Sequence, residues 1–439
     1  MLKSRADTFR RQLLITCLLS GTAAGTAAAA APAAPEAGAA GLSDALQAAL
    51  RNHPAVAGQK AEVEARRYAA DGARSQRYPT LTAQAQQYTE KDRSVLSGED
   101  LSHPAVLRVR QPIWAFGRIN SNIAVANAEV STERADLLRV RRELLEDTAV
   151  AYAQVRGSRQ HIDIARQNVT EHTELLAQIE RRVEGQLASS ADARLAATRL
   201  AQARAQLERA IDEWEGARED LAALTQVALS ADQPVPPELL ELPESTDLIE
   251  RAMDDNAEIR LKRQQLGQAE AEVDRARTSF MPTIYLQADQ FYDQPGLRDD
   301  SQVSVVLEAS LDGLGFAARG RTGEAVASRM AATQDLAATR LELLRELERL
   351  QRGRRLQTDL IELQTQSLRD LVSLSASYQR QYEGGTKSWL DLMNIERELF
   401  EQRRQLVQAE NDWMIYSLQL LARIGGLDSL AGIQEQTDG

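Results

Sequence analysis

Tyr382-Glu383-Gly384-Gly385-Thr386-Lys387-Ser388-Trp389-Leu390-Asp391 reads as the end of one helix, a glycine turn and the start of another. Downstream, Leu392, Leu399, Leu406, Trp413 and Leu420 fall seven residues apart, with Ile395 and Tyr416 in a second row of the same repeat. A strict seven-residue apolar repeat is a coiled-coil seam, because 3.5 residues per turn keeps one stripe against a partner helix. The design occurs once more, 199 positions earlier (Glu184 to Glu383). Glu184-Gly185 matches Glu383-Gly384, Asp192 matches Asp391, and Leu200, Leu207, Trp214 and Leu221 match Leu399, Leu406, Trp413 and Leu420. A duplicated helical hairpin, with Gly185, Gly384 and Gly385 at its tips, is therefore the core of the chain. Trp214 and Trp413 are expected to be core packing.

Working outward, residues 1–30 read as a secretory signal peptide. Lys3, Arg5, Arg10 and Arg11 precede an apolar stretch from Leu13 to Leu19, and alanines with small-residue cleavage points follow between Ala27 and Ala40. The one cysteine, Cys17, lies in that stretch. It is expected to be lost on processing; Leu14-Ile15-Thr16-Cys17 also has a faint likeness to a lipoprotein signal. The mature chain would then hold no disulfide and no thiolate metal site. A formal net charge of -12 argues against a nucleic-acid surface, which needs a basic stripe. Scarce aromatic residues (4%) beside abundant alanine, leucine, glutamate and arginine favour long helices. No uninterrupted apolar run after the signal is long enough for a transmembrane helix.

The first repeat spans 42–225. Its pattern is helical from Leu42 to Tyr78, then alternating over about 80–90 and 105–114, then a helical hairpin over about 118–225. Residues 226–244, with Pro234, Pro236, Pro237 and Pro243, form a linker hostile to helix. The second repeat, 245–427, places strands at about 283–291 and 303–311 and a hairpin at about 320–425. Its front aligns at an offset of 203 (Pro79 to Pro282), and a shorter strand-to-strand loop accounts for the change to 199. Residues 428–439 read as a polar tail, expected to be mobile.

Signs of catalysis are lacking. His53, His103, His161 and His172 are scattered without metal-ligand spacing and read as solvated or surface residues. Neither a nucleophile elbow, a P-loop nor a zinc signature is present. Gly313-Leu314-Gly315-Phe316-Ala317-Ala318 fits the loose dinucleotide pattern, but a helix of roughly 60 residues follows where a short βαβ unit is required. These glycines read as the corner where a strand becomes a helix. The expectation is a protein that is not an enzyme and uses no cofactor.

Alternating strands of about ten residues have the length of tilted membrane-spanning strands. In a bilayer every backbone polar group must be bonded internally, so strands span only in a closed barrel. Four strands cannot close one. Several chains must therefore contribute to one barrel, and helices of about 100 Å with wide apolar rows also need neighbours on both sides.

The layout resembles the TolC-like outer-membrane efflux and secretion channels of Gram-negative bacteria. The resemblance is carried by Glu184-Gly185 through Asp192, by Tyr382 through Asp391, by the run Arg397–Leu427, and by Pro79-Thr80-Leu81 and Gln111-Pro112-Ile113-Trp114. It implies a mainly α fold with a small β part: a homotrimer whose twelve-stranded outer-membrane barrel continues into a twelve-helix periplasmic tunnel. It also implies a periplasmic adaptor and an inner-membrane ABC or proton-driven pump as partners, with the strands in outer-membrane lipid. The loops 89–103 and 292–302, including Ser97 and Asp299, would face the cell exterior. By the same resemblance Tyr382 and Lys387 of the second tip stand against Asp192 of the first as a gate, and Asp391 and Asn394 ring the pore entrance. Lys387 stands where the best-known members carry arginine, and Asn394 where they carry a second aspartate. Ser310-Leu311-Asp312-Gly313 replaces the usual proline and aromatic after the last strand, leaving its end open. The second tip is similar to the subgroup serving type I secretion of adhesins, with drug or metal efflux as the other cargo. A periplasmic adaptor is the alternative function, although it would have one hairpin where this chain has two. A structural coiled coil would leave the strands unexplained.

Overall fold

The computed structural model describes residues 41–85, 105–292, 300–310 and 312–433. Two short helices, α1 (Leu42–Asn52) and α2 (Pro54–Ser75), lead into strands β1 (Thr80–Ala85) and β2 (Ala105–Trp114). A hairpin of α3 (Arg118–Glu184) and α4 (Ser190–Thr225) follows. After a short α5 (Pro237–Leu240) the series returns as α6 (Ser245–Asp255), α7 (Ala257–Thr278), β3 (Thr283–Tyr292), β4 (Asp300–Glu308), α8 (Phe316–Glu383) and α9 (Trp389–Arg423). A last turn, α10, covers Asp428–Ala431.

The helical reading of 42–78 is interrupted at His53. Proline disfavours helical backbone in the residue before it yet suits the first helical position. His53 accordingly adopts extended backbone, and its Nδ1 accepts the Ala55 N–H at 3.2 Å to cap α2. Asn256 does the same for α7, its Oδ1 accepting from Glu258 and Ile259.

The strands form one antiparallel sheet in the order β1-β2-β3-β4. Pairing aligns Leu81, Val109, Ala288 and Val303 across it, so one face carries these with Leu286, Val305 and Leu307. Val303, Val305 and Leu307 are exposed by 65–72%. The opposite face is polar. There Arg108 Nε donates to Asp289 Oδ1 at 2.7 Å, Arg110 pairs with Glu308, and the Arg110 guanidinium lies 4.1 Å from the centre of the Tyr285 ring. The fourth strand occupies 300–308 rather than 303–311. Its ladder stops where Glu308 meets Thr283, the first residue of β3, and nothing further remains to pair with. Residues 86–90 of the first expected strand lie outside the described residues, as do the loop 89–103 and residues 293–299, with Ser97 and Asp299.

Each second strand of a pair turns into a very long helix, 67 residues in α3 and 68 in α8, about 100 Å apiece. Both turns end on a left-handed glycine, Gly117 and Gly315, each at φ 90°. Only glycine takes that conformation without a Cβ penalty, which accounts for the Gly313–Gly315 pattern without a nucleotide. α4 packs on α3, α3 on α9 and α9 on α8, leaving α4 and α8 as the flanks. No helix among the described residues is long and apolar enough to cross a membrane.

At mid-height, α1, the middle of α3 and the ends of α4 and α9 gather around Tyr152, Leu145, Leu221 and Leu418, all buried. Prolines did not leave 226–244 outside this core: Ala231, Val235 and Leu240 are buried in it, and the Tyr152 hydroxyl donates to the Gln233 carbonyl at 2.7 Å. The expected mobile tail also needs correcting over 428–433. Leu427 and Ala431 are buried, and Asp428 accepts from Arg142 Nε and Nη2 at 3.0 and 2.7 Å. Arg142 also donates to the Asp255 carbonyl at the end of α6. An acidic residue in a polar tail gave no sign of a buried cation 286 positions away. Removing one partner of a buried pair leaves an uncompensated charge and costs on the order of 3–5 kcal/mol. Asp428→Ala is therefore expected to lower the melting temperature of the detergent-solubilised protein; unchanged melting would show that the C-terminal turn is not part of the core.

Candidate functional site

The two hairpin tips are built alike. Ser189 caps α4 and Ser388 caps α9, each in a reciprocal box with the aspartate three residues on. The Ser189 hydroxyl donates to Asp192 Oδ2 at 2.8 Å and its N–H at 3.1 Å, while the Asp192 N–H returns to Ser189 Oγ at 3.2 Å. Ser388 and Asp391 repeat these contacts at 2.7, 3.1 and 3.2 Å. Carboxylates suit a helix N-terminus, where free N–H groups and the helix dipole favour negative charge. The neighbouring Trp389 indole and the Ser189 hydroxyl hold Asp192 below the usual carboxylate range, although the indole N–H has no partner at hydrogen-bond geometry. Ser388 and then Lys387 do the same for Asp391.

Among the tip glycines, Gly185 and Gly384 have φ near -77°, which any residue can adopt. The left-handed position is the next one, Gly385 at φ 75° and Gln186 at φ 60°. Gly385 is thus the glycine the turn requires, and the first tip tolerates a glutamine in its place.

Tyr382 is buried, its ring 4.3 Å from the Arg182 guanidinium of the other hairpin. It belongs to a cluster with Trp389, Leu392 and Met393 that packs on Leu175, Ile179 and Ala196 and joins the two hairpins. Lys387 Nζ lies 4.5 Å from the Tyr378 ring centre. All three expected gate residues are therefore at the same end of the molecule. Asp192 is engaged by its cap, Lys387 by Tyr378 and Tyr382 by Arg182, and among the described residues no hydrogen bond joins the three within one protomer. Asp391 sits in its cap, and Asn394, one turn further on, is exposed.

Three residues of this site escaped the sequence reading. Ser189 and Ser388 were legible in principle, since Ser-x-x-Asp at both tips is a capping-box pattern. Arg182 was not, because its aromatic partner is 200 positions away in the chain (182 to 382).

Higher up, Trp214 and Trp413 are half-buried against the mid-height core, as core packing requires. Each also lies beneath an arginine, Arg218 at 4.7 Å and Arg354 at 4.9 Å from the ring centres. His172 departs from its expected surface role. It is buried at the hairpin interface beside Asn168, and burial pushes its pKa down. Among the described residues no group of three or more His, Cys, Asp or Glu is placed to hold a metal ion. The outward side of α8 stays bare in one protomer: Leu341, Leu356 and Leu363 are 55–65% exposed.

A family model described as outer membrane efflux protein matches residues 45–226 and 248–426, one segment per repeat. Among solved structures, the VceC outer membrane protein of Vibrio cholerae superposes with a TM-score of 0.73 at 18% identity, over 88% of this chain and 96% of that one. The CmeC outer membrane channel of Campylobacter jejuni gives 0.74 at 13% identity over 91% and 87%. The MtrE outer membrane channel of Neisseria gonorrhoeae gives 0.73 at 19% identity over 91% of each. A comparison with curated protein sequences found no significant match. At these identities the superpositions speak for the fold. The family match, covering most of both repeats, shows that the chain belongs to the outer membrane efflux protein family, as an efflux channel and a conduit rather than an enzyme.

Proposed function

We propose that three copies of this chain form a passive export conduit that crosses the outer membrane and the periplasm. The observation that carries this is the sheet, apolar on one face, charged on the other, and open at β1 and β4. Three such sheets joined edge to edge close a barrel of twelve strands. The apolar face with Val303, Val305 and Leu307 would meet lipid, and Arg108, Arg110, Tyr285 and Asp289 would line the water-filled bore. Joining copies also covers the leucines of α8 with the α4 flank of a neighbour, making a wall of twelve long helices. Residues 1–30 direct the chain to export and are removed.

No energy source belongs to such a pore. Transport is driven by an inner-membrane ABC or proton-driven pump, reached through a periplasmic adaptor that engages the tips. The second tip, Tyr382–Asp391, supports type I protein secretion as the cargo reading, with small-molecule efflux as the other. Sequencing the secretome and measuring drug and metal susceptibility of a deletion strain separates the two.

At rest the inner end must be shut. We assign the gate to Tyr382 and Lys387 of one protomer facing Asp192 of the next, with Asp391 and Asn394 ringing the entrance. Charge-assisted contacts of this kind contribute roughly 1.5–3 kcal/mol each, weak enough for an adaptor to exchange for its own. Lys387 supplies a point charge without arginine's bidentate fork, so the lock is loose. Tyr382→Phe keeps the ring beneath Arg182, and Lys387→Ser removes the cation. In planar bilayers the double variant is expected to conduct more than the parent at unchanged trimer melting. Conductance equal to the parent's would show that the lock is elsewhere, and a parent that inserts without conducting would contradict the conduit.

A further inference from the structure

About halfway along the long helices lies a cavity of about 320 Å³ bounded by α3, α7, α8 and α9. Its walls are charged. α3 contributes Arg139, Arg142, Glu143, Glu146 and Asp147; α7 adds Glu258, α8 adds Glu342 and Glu346, and α9 adds Arg423. Carboxylates outnumber cations, and two of the three arginines are engaged by carboxylates other than Glu146 and Glu346. Arg139 holds Asp136 at 2.7 Å and Glu143 at 2.9 Å, and Arg142 holds Asp428. Arg423 is the remaining cation of the wall. Its Nη2 reaches Glu346 Oε1 at 2.9 Å and Glu146 Oε1 at 3.2 Å. One nitrogen thus spans α3, α8 and α9, and so ties the first hairpin to both helices of the second.

We propose that this Arg423 brace is an acid-released latch: with Glu146 ionised it couples the two hairpins, and with Glu146 neutral it lets α3 shift relative to α8 and α9 and the channel open. The idea rests on the conduit reading above. Geometry supplies the switch, since losing the Glu146 contact leaves Arg423 on Glu346 within the second hairpin and removes this mid-height tie to the first, while the tip cluster still holds the hairpins together. The adjoining cavity gives the side chains room to move. Arg423 Nε is buried without a partner, so the guanidinium fork is only partly used.

Glu146 is suited to the role. Burial raises its pKa to about 7, against the pull of Arg423 and with help from the like charges of Glu346, Asp147 and Glu143. A raised carboxyl pKa means that the folded state takes up a proton more readily than the unfolded chain. The resulting stabilisation is present in full below the ordinary value of 4.5 and lost as pH rises through about 7. Ionising Glu146 therefore costs stability, and the Arg423 contact offsets only part of that cost. Between pH 8 and pH 6 the neutral fraction goes from about 10% to about 90% for a group titrating near 7.

The test uses the full-length protein purified from outer membranes, inserted in planar bilayers and titrated from pH 8 to pH 6 on the side of the helical tips. The parent's open probability is expected to rise several-fold, following that neutral fraction. Glu146→Gln is expected to open at pH 8 as the parent does at pH 6 and to lose the pH response. It should also melt above the parent at pH 8, with the gap closing toward pH 5. A variant that keeps the parent's pH response, or that melts below the parent at pH 8, overturns the latch. Should Glu146→Gln fail to assemble, Arg423→Lys decides: weaker pairing must move the parent's pH midpoint upward, and an unmoved midpoint overturns the proposal. If the parent inserts and passes no current at any pH, the conduit reading fails and the melting comparison alone judges the brace.

Discussion

β1 and β4 are the free edges of a four-stranded sheet, and one face of that sheet is apolar and exposed. In hydrocarbon each unpaired N–H or C=O costs several kcal/mol, so such edges cannot stay open. Every other feature follows from that constraint. On the proposed reading, further copies close the edges, those copies set the α4 and α8 flanks against one another, and a ring of long hairpins encloses a bore with a gate at its far end. The duplication makes this economical, because one chain supplies two equivalent strand pairs and two equivalent hairpins.

Much of this was legible in the sequence because it depends on period and punctuation. Heptad seams at Leu392–Leu420 and Leu200–Leu221, strand alternation at Leu107–Val109 and Val303–Leu307, and the matching tips are all local patterns. What the sequence hid depends on partners far apart in the chain. Arg142 with Asp428, Arg182 with Tyr382 and Arg423 with Glu146 are separated by 200 to 286 positions, and no local pattern marks them. The C-terminal turn was misjudged for the same reason, since Asp428 looks like tail until its cation is known. Boundaries shifted where backbone chemistry outranks periodicity, as at Pro54, or where pairing ends with the partner strand, as at Glu308.

Charge is distributed unevenly along the molecule. The tips carry acids satisfied by their own helix ends, which favours their ionised form. The sheet pairs its charges across strands on the face opposite Val303, Val305 and Leu307. At mid-height burial raises the pKa of Glu146 to about 7, and one shared arginine only partly counters it. Partly buried ion pairs of this kind add little stability, so one at a point joining two hairpins suits a part that must move better than one that must only hold.

In the proposed conduit one chain is an incomplete barrel and three complete it. Native mass spectrometry of the protein extracted from outer membranes in mild detergent tests it directly. The account predicts particles of three chains, persisting at dilution. A folded particle of one chain, or of two or four, would contradict it.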